Sequence, residues 1–146
     1  MLQKTNKMKV MAFGTFDILH KGHENFLKQA KKSVKPGFKT RLNKLIVVIA
    51  RDKTVLKVKG KLPRNDEQAR LRAIIKTGLA DKTILGNIQD KYKIIEKYKP
   101  DVICLGYDQQ VFTESLEEKL QEYNLLATKI VRLNPHCPEK YKSSKF

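Results

Sequence analysis

Apolar and polar positions fall into blocks along the chain, and two periods are legible in them. Residues 8–13 read as a first strand, and residues 45–50 (Leu-Ile-Val-Val-Ile-Ala) form a continuous apolar run, the pattern of a strand covered on both faces. Between them, residues 21–32 place Phe26, Leu27 and Ala30 on one helical face, and Pro36-Gly37 ends that pattern. Asn65 or Asp66 can cap a helix running to about residue 76, with Ala69, Leu71, Ile74 and Ile75 as its apolar stripe. Residues 82–85 form a short strand before Gly86, and residues 90–98 a helix stopped by Pro100. Residues 101–105 are a buried strand closed by Gly106, residues 113–123 a helix, and residues 128–132 the last strand.

The order is β-α-β-α-β-α-β-α-β with short connections. Strands alternating with helices predict βαβ units, right-handed crossovers and a parallel sheet. The expected fold class is therefore α/β: a single Rossmann-like, doubly wound, five-stranded parallel sheet with helices on both faces. No repeat or low-complexity segment divides the chain. Residues 1–146 are expected to form one domain, with 1–7 as a flexible lead and 136–146 as a C-terminal segment. Ligands of such sheets bind beyond the carboxyl ends of the strands, where the strand order switches. That directs attention to the loops after Phe13, Ala50 and Leu105.

Composition narrows the class. A chain of 146 residues can bury roughly 70% of its unfolded surface. Its 40% hydrophobic residues exclude a disordered chain, and no apolar run approaches the ~18 residues of a membrane span. Residues 1–9 are polar and lysine-bearing with no apolar stretch behind them, so a cytoplasmic protein without a secretory leader is expected. Cys104 and Cys137 have no metal or CxxC spacing and are expected to stay thiols. The net charge of +16 invites a nucleic-acid reading, but its distribution points elsewhere. Residues 1–65 carry 17 Lys/Arg against 3 Asp/Glu, and only 6 of the 31 basic residues are Arg. A lysine bias disfavours base-specific duplex readout, which leans on the arginine fork. Solvated surface, a phosphate-rich small substrate drawn to the basic half and, last, nucleic acid remain as readings.

The loop after the first strand reads Gly14-Thr15-Phe16-Asp17-Ile18-Leu19-His20-Lys21-Gly22-His23. Two histidines three apart sit where strand gives way to helix. Gly22 lets a backbone approach closely, and the opening helix turn offers N–H groups and a positive dipole to an anion. Imidazoles there can donate hydrogen bonds to phosphate oxygens as charge builds in a transition state. No further Cys/His/carboxylate cluster completes a zinc site, and His136 stands alone.

This loop resembles the signature of the cytidylyltransferase-like branch of the HIGH-motif nucleotidyltransferases. Three later segments are similar to the same family in the same order. They are Arg51-Asp52 with Lys57-Val58-Lys59-Gly60; Glu67-Gln68-Ala69-Arg70 running on to Ile74; and Gly106-Tyr107-Asp108-Gln109. Lys142-Ser143-Ser144 resembles a shortened form of the family's terminal serine/threonine signature, so the resemblance covers residues 8–146. It implies attack of a substrate phosphate on the α-phosphate of a nucleoside triphosphate, with release of pyrophosphate and a divalent cation such as Mg²⁺ accompanying the nucleotide. It implies that His20 and His23 hydrogen-bond the α- and β-phosphates. It places Lys59, with Lys57, over the phosphates from the loop beyond strand two. It assigns nucleotide contacts to Gly14, Thr15, Phe16, Asp17, Gly22, Arg70 and Gly106. Asp108 would take the ribose hydroxyls or the base, and Ser143 and Ser144 would cap a helix N-terminus aimed at the triphosphate. The bland alternatives are surface lysines at 57 and 59, a solvent-facing helix charge at 70 and a turn aspartate at 108.

Within the family, the archaeal-type FAD synthases, which transfer AMP from ATP to FMN, are most similar. Gly106-Tyr107-Asp108-Gln109 resembles their Gly-x-Asp-Gln, and the chain has no Trp, which the glycerol-phosphate enzymes tend to show there. Arg51-Asp52-x-Thr54-Val55-x-Lys57 and Cys137-Pro138 also resemble that group. The chain departs from the family in its longer basic link at residues 35–43 and in ending at Phe146, where the family normally continues into a helix. The expected partners are ATP, or CTP, with FMN or another small phosphate acceptor; no membrane and no nucleic acid are expected, and a homodimer is the conceivable assembly. The alternatives are a CTP-dependent enzyme acting on an alcohol phosphate such as glycerol 3-phosphate, and a non-catalytic nucleotide- or RNA-binding protein on the same scaffold.

Overall fold

The computed structural model describes residues 8–17, 21–32, 44–87, 92–105 and 115–132. Five strands, β1 (Lys9–Gly14), β2 (Lys44–Ile49), β3 (Lys82–Leu85), β4 (Val102–Leu105) and β5 (Lys129–Arg132), form one sheet in the order β3-β2-β1-β4-β5. Every pairing is parallel, with Gly14 beside Ile49, Ala12 beside Cys104, and Leu105 beside Arg132. The helices are α1 (Lys21–Lys32), α2 (Asp52–Lys59), α3 (Glu67–Thr77), α4 (Lys93–Tyr98) and α5 (Leu116–Glu122).

Successive strand residues face opposite sides of the sheet, so a continuous apolar run needs cover on both. One face turns Val10, Ala12, Leu45, Val47, Ile49, Val102 and Cys104 toward Leu27 and Ala30 of α1 and Ile74 of α3. The other turns Met11, Phe13, Ile46, Val48, Ile103 and Leu105 toward Ile95 of α4 and Leu116 and Leu120 of α5. The sheet is thus doubly wound, as its pattern of apolar runs predicts. Cys104 is a buried thiol of β4; Cys137 lies outside the described residues.

The amino ends of the strands are tied by two carboxylates. Asp81 pairs with Lys31 of α1 and accepts the Leu45 N–H at 2.7 Å, joining α1, β2 and the start of β3. Asp101 accepts the Lys9 N–H at 2.9 Å, joining β1 to β4. Burial pulls the Asp81 carboxyl up. The Lys31 and Leu45 hydrogen bonds, with the charges of Lys31 and Lys44, outweigh it and hold the group below its ordinary value.

The structure departs from the sequence expectation at α2, an additional helix. Residues 52–59 lack an apolar stripe of helical period: Val55 alone is buried, while Leu56 and Val58 are 45% and 48% exposed. Their near-alternation imitates loop or strand. Ile75, expected in the α3 stripe, is 57% exposed; Ile74 one position earlier is the buried contact. α4 and α5 are described only from residues 93 and 116, so their expected starts near residues 90 and 113 fall outside the described residues.

Candidate functional site

The chain leaves β1 toward β2 on one side and leaves β4 toward β5 on the other, while β1 and β4 are neighbours. Their carboxyl ends therefore flank the switch point, where sheets of this kind bind ligands. The loop after β1 and the segment after Leu105 both start there.

The β1 loop has a strained and well-anchored shape. Phe16 sits at φ 53°, in the left-handed region that costs a bulky residue about 1–2 kcal/mol. It is held there by burial and by ring contacts. The Phe16 ring lies edge-on to His23 with centroids 5.4 Å apart and touches Phe26 at 6.2 Å. The same ring explains Gly14, because a Cβ at that position would meet Phe16 ring carbons at 2.8 and 2.9 Å. Gly14 thus admits Phe16, and Phe16 braces the imidazole of His23 in the first turn of α1. Asp17 completes the loop's anchoring. Its two carboxylate oxygens accept the N–H groups of Arg64 and Asn65 at 2.8 and 2.9 Å, and its carbonyl accepts the Asn65 side-chain amide at 2.6 Å. These bonds fasten the β1 loop to the turn that opens α3.

Arg70 corrects the expectation of a side chain pointed into the crevice, and it is not a solvent-facing helix charge either. It is fully buried, and its guanidinium is spent inside the fold. Nε donates to the Asn65 carbonyl at 3.0 Å, one terminal nitrogen to the carbonyls of Thr15 and Ala50 at 2.9 and 2.8 Å, and the other to Asp52 at 2.6 Å. One side chain thereby holds the ends of β1 and β2 and the starts of α2 and α3 in register. Thr15 takes part through its carbonyl.

Around Arg70 lies a network that reading single residues does not reveal. Asp52 opens α2 and accepts the Glu67 N–H at 3.2 Å; Glu67 opens α3 and accepts the Asp52 N–H at 2.8 Å. Each helix start is capped by the other's first carboxylate, where the helix dipole favours negative charge. Arg51 bridges Glu67 at 3.0 Å and the Gly86 carbonyl after β3 at 2.8 Å. The available signal is an acidic residue opening each helix, once α2 is recognised as a helix.

Lys57 and Lys59 lie in the last turn of α2, exposed, rather than in a loop. Gly60 ends that helix in the left-handed conformation at φ 80°, and a Cβ there would meet nothing within 4 Å. Its role in the fold is to stop the helix. At ~100° per residue, Lys59 lies ~40° around the helix from buried Val55 and Lys57 ~160°, so Lys59 is the nearer of the two to the buried side of α2. Gly22 is the second residue of α1. His20, Gly106, Asp108, Ser143 and Ser144 lie outside the described residues.

Among the described residues, no group of three His, Cys, Asp or Glu side chains could cage a metal ion, and no helix is long and apolar enough to cross a membrane. The arrangement forms one edge of the switch point. It combines a braced imidazole, the opening turn of α1, and two lysines on a short helix whose base is clamped by Arg70.

The family model described as Cytidylyltransferase-like matches residues 11–146. Relatives named FAD synthase include one from Thermoplasma volcanium, 39% identical over 94% of this chain and 89% of its own length. Another, from Archaeoglobus profundus, is 41% identical over 94% of this chain and 81% of its own. A third, from Ferroglobus placidus, is 44% identical over 86% and 75%. A crystal structure described as a lipopolysaccharide core biosynthesis protein from Thermoplasma volcanium superposes with a TM-score of 0.73 at 39% identity, covering 90% of this chain and 99% of that one. The sheet, the switch-point loop and these matches agree: the chain belongs to the cytidylyltransferase-like family.

Proposed function

We propose that the protein is an FMN adenylyltransferase, transferring AMP from ATP to FMN to give FAD and pyrophosphate. The observation that carries this reading is the set of relatives named FAD synthase, 37–44% identical over most of the chain. The switch-point crevice supports it by offering an anion site of the right kind. An oxygen of the FMN phosphate attacks the α-phosphorus of ATP. The new P–O bond forms as the bond to the α–β bridging oxygen breaks, and that electron pair leaves with pyrophosphate. No covalent enzyme intermediate is needed, so the protein's task is positioning and stabilising spreading negative charge.

In this reading His23 donates a hydrogen bond to a phosphate oxygen from its braced position on Phe16, and His20 is assigned the same role on the family resemblance. Lys59 lies over the phosphates, with Lys57 more peripheral. Gly22 leaves the opening of α1 clear for the anion. Gly14, Phe16, Asp17 and Arg70 act as positioning residues. Gly106, Asp108, Ser143 and Ser144 are assigned nucleotide contacts on the family resemblance. A divalent cation such as Mg²⁺ fits as part of the incoming nucleotide, because it binds substrate phosphates while keeping its waters. The nearby carboxylates of Asp52 and Glu67 hold helix N–H groups and guanidinium groups.

The test is pyrophosphate release with ATP or CTP and Mg²⁺, against FMN, glycerol 3-phosphate and phosphocholine. Release only with ATP and FMN supports the reading. Release with CTP and an alcohol phosphate, and none with FMN, replaces it with a cytidylyltransferase.

A further inference from the structure

The edge of the sheet opposite the crevice is a row of lysines. Lys82, Lys44, Lys9 and Lys129 open β3, β2, β1 and β5, and Lys97 and Lys99 close α4 just before β4. All six are exposed, and they follow the sheet order from edge to edge. At ~4.8 Å between strands, the rim from β3 to β5 is about 19 Å long. Among the described residues, none of the six pairs with a carboxylate. The acids at this end are turned to other work: Asp81 holds Lys31 and the Leu45 N–H, and Asp101 holds the Lys9 N–H.

Three of these cations converge on one aromatic residue. Lys82 Nζ lies 5.1 Å and Lys97 Nζ 5.6 Å from the Tyr98 ring centroid, and Lys9 Nζ donates to the Tyr98 carbonyl at 3.1 Å. The ring quadrupole offsets part of the repulsion between like charges drawn together. A hydrogen bond from Lys82, then the charges of Lys82, Lys97 and Lys44, hold the Tyr98 phenol below its ordinary value against the effect of burial. The rim is therefore a concentrated positive field on the far side of the domain from the nucleotide.

We propose that this rim docks the phosphate backbone of a single-stranded nucleic acid, bound without regard to base sequence. Lysines supply point charges rather than the guanidinium forks that read bases, and a row that crosses the sheet from edge to edge suits a linear chain of phosphates. Tyr98 offers a ring beside that track, the combination of cationic groove and aromatic that single strands favour. A surface lysine scattered for solubility has no reason to recur at the first residue of four strands.

The experiment uses the full chain and a fluorescein-labelled oligouridylate, followed by anisotropy at several salt concentrations. Four phosphate contacts give a slope of log K against log salt of about −2.8, roughly a 50-fold loss of affinity between about 50 and 200 mM salt. Reversing Lys44, Lys82, Lys97 and Lys129 to Glu is expected to abolish that binding. Reversing Lys28, Lys53, Lys61 and Arg72, exposed residues elsewhere, makes the same change in net charge and is expected to leave most of it. Excess ATP and FMN should not compete, and the rim variant should keep the wild-type rate of pyrophosphate release. A Lys→Gln set at the same four rim positions, with melting curves, separates lost binding from lost folding. Equal losses in the two reversal sets, competition by ATP, absence of binding at low salt, or rim-dependent binding to anionic vesicles in place of RNA would each overturn the proposal.

Discussion

Arg70→Ala separates a structural clamp from a nucleotide ligand. Arg70 is fully buried and donates to the carbonyls of Thr15, Ala50 and Asn65 and to the Asp52 carboxylate. Truncation leaves three neutral acceptors short of a donor, at about 1 kcal/mol each, and an acceptor of charge-assisted type at about 1.5–3 kcal/mol. Asp52 is itself about a quarter exposed, so water recovers part of the last contribution. A net cost of about 4 kcal/mol is the expected order, within the range for breaking a buried pair. For a chain of this size, 1 kcal/mol moves Tm by ~2–4 °C, so a fall of roughly 8–16 °C is expected. Differential scanning fluorimetry without nucleotide reads it directly. Asp52→Asn should lower Tm by less, and the double variant should cost clearly less than the sum of the singles, because the pair shares one bond. A wild-type Tm for Arg70→Ala, accompanied by a large rise in the KM for ATP, would refute the clamp and restore a direct nucleotide contact.

Three further outcomes follow from the same geometry. His23→Ala should cut turnover by on the order of 10²–10³-fold, the range for losing one preorganised transition-state donor, with a much smaller change in nucleotide affinity by calorimetry; near-normal turnover would move the site elsewhere. Lys59→Ala should lower kcat/KM for ATP more than Lys57→Ala, since Lys59 is nearer the buried side of α2; equal, small effects would make both solvated surface charges. Asp81 has a lowered pKa when folded, so its contribution to stability is present above the ordinary carboxylate value of about 4 and is lost as pH falls through the lower folded value. Asp81→Asn should therefore lower Tm at neutral pH and flatten its decline below about pH 4; an unchanged acid limb would show that the Lys31 pair contributes nothing.

What was legible in the sequence was whatever a local pattern encodes. β3 and α1 fall at the residues their periodicity predicts, and Asp66 caps α3 by accepting the Ala69 N–H at 2.8 Å. The five-stranded parallel sheet follows from the alternation of apolar runs and amphipathic stretches. α2 escaped because its buried face is one residue wide, and its left-handed stop at Gly60 has no periodic stripe before it to mark a helix end. The role of Arg70 escaped for a different reason. Its partners lie 5, 18, 20 and 55 residues away in the chain, so nothing local distinguishes it from an exposed helix arginine. Likewise, Gly14 shows its purpose only when the Phe16 ring is seen folded back over it. The loop after β1 was identifiable as the candidate site from its histidines and its place after a buried strand. Its internal bracing is tertiary.

The most direct measurement is the fate of label from ATP carrying ³²P at the α-phosphate, incubated with the protein, FMN and Mg²⁺ and resolved by chromatography. The expected result is label in FAD, with one pyrophosphate released per FAD formed, and loss of both in His23→Ala. No labelled FAD, with CTP consumed in the presence of glycerol 3-phosphate or phosphocholine, would contradict the assignment of ATP and FMN as the substrates.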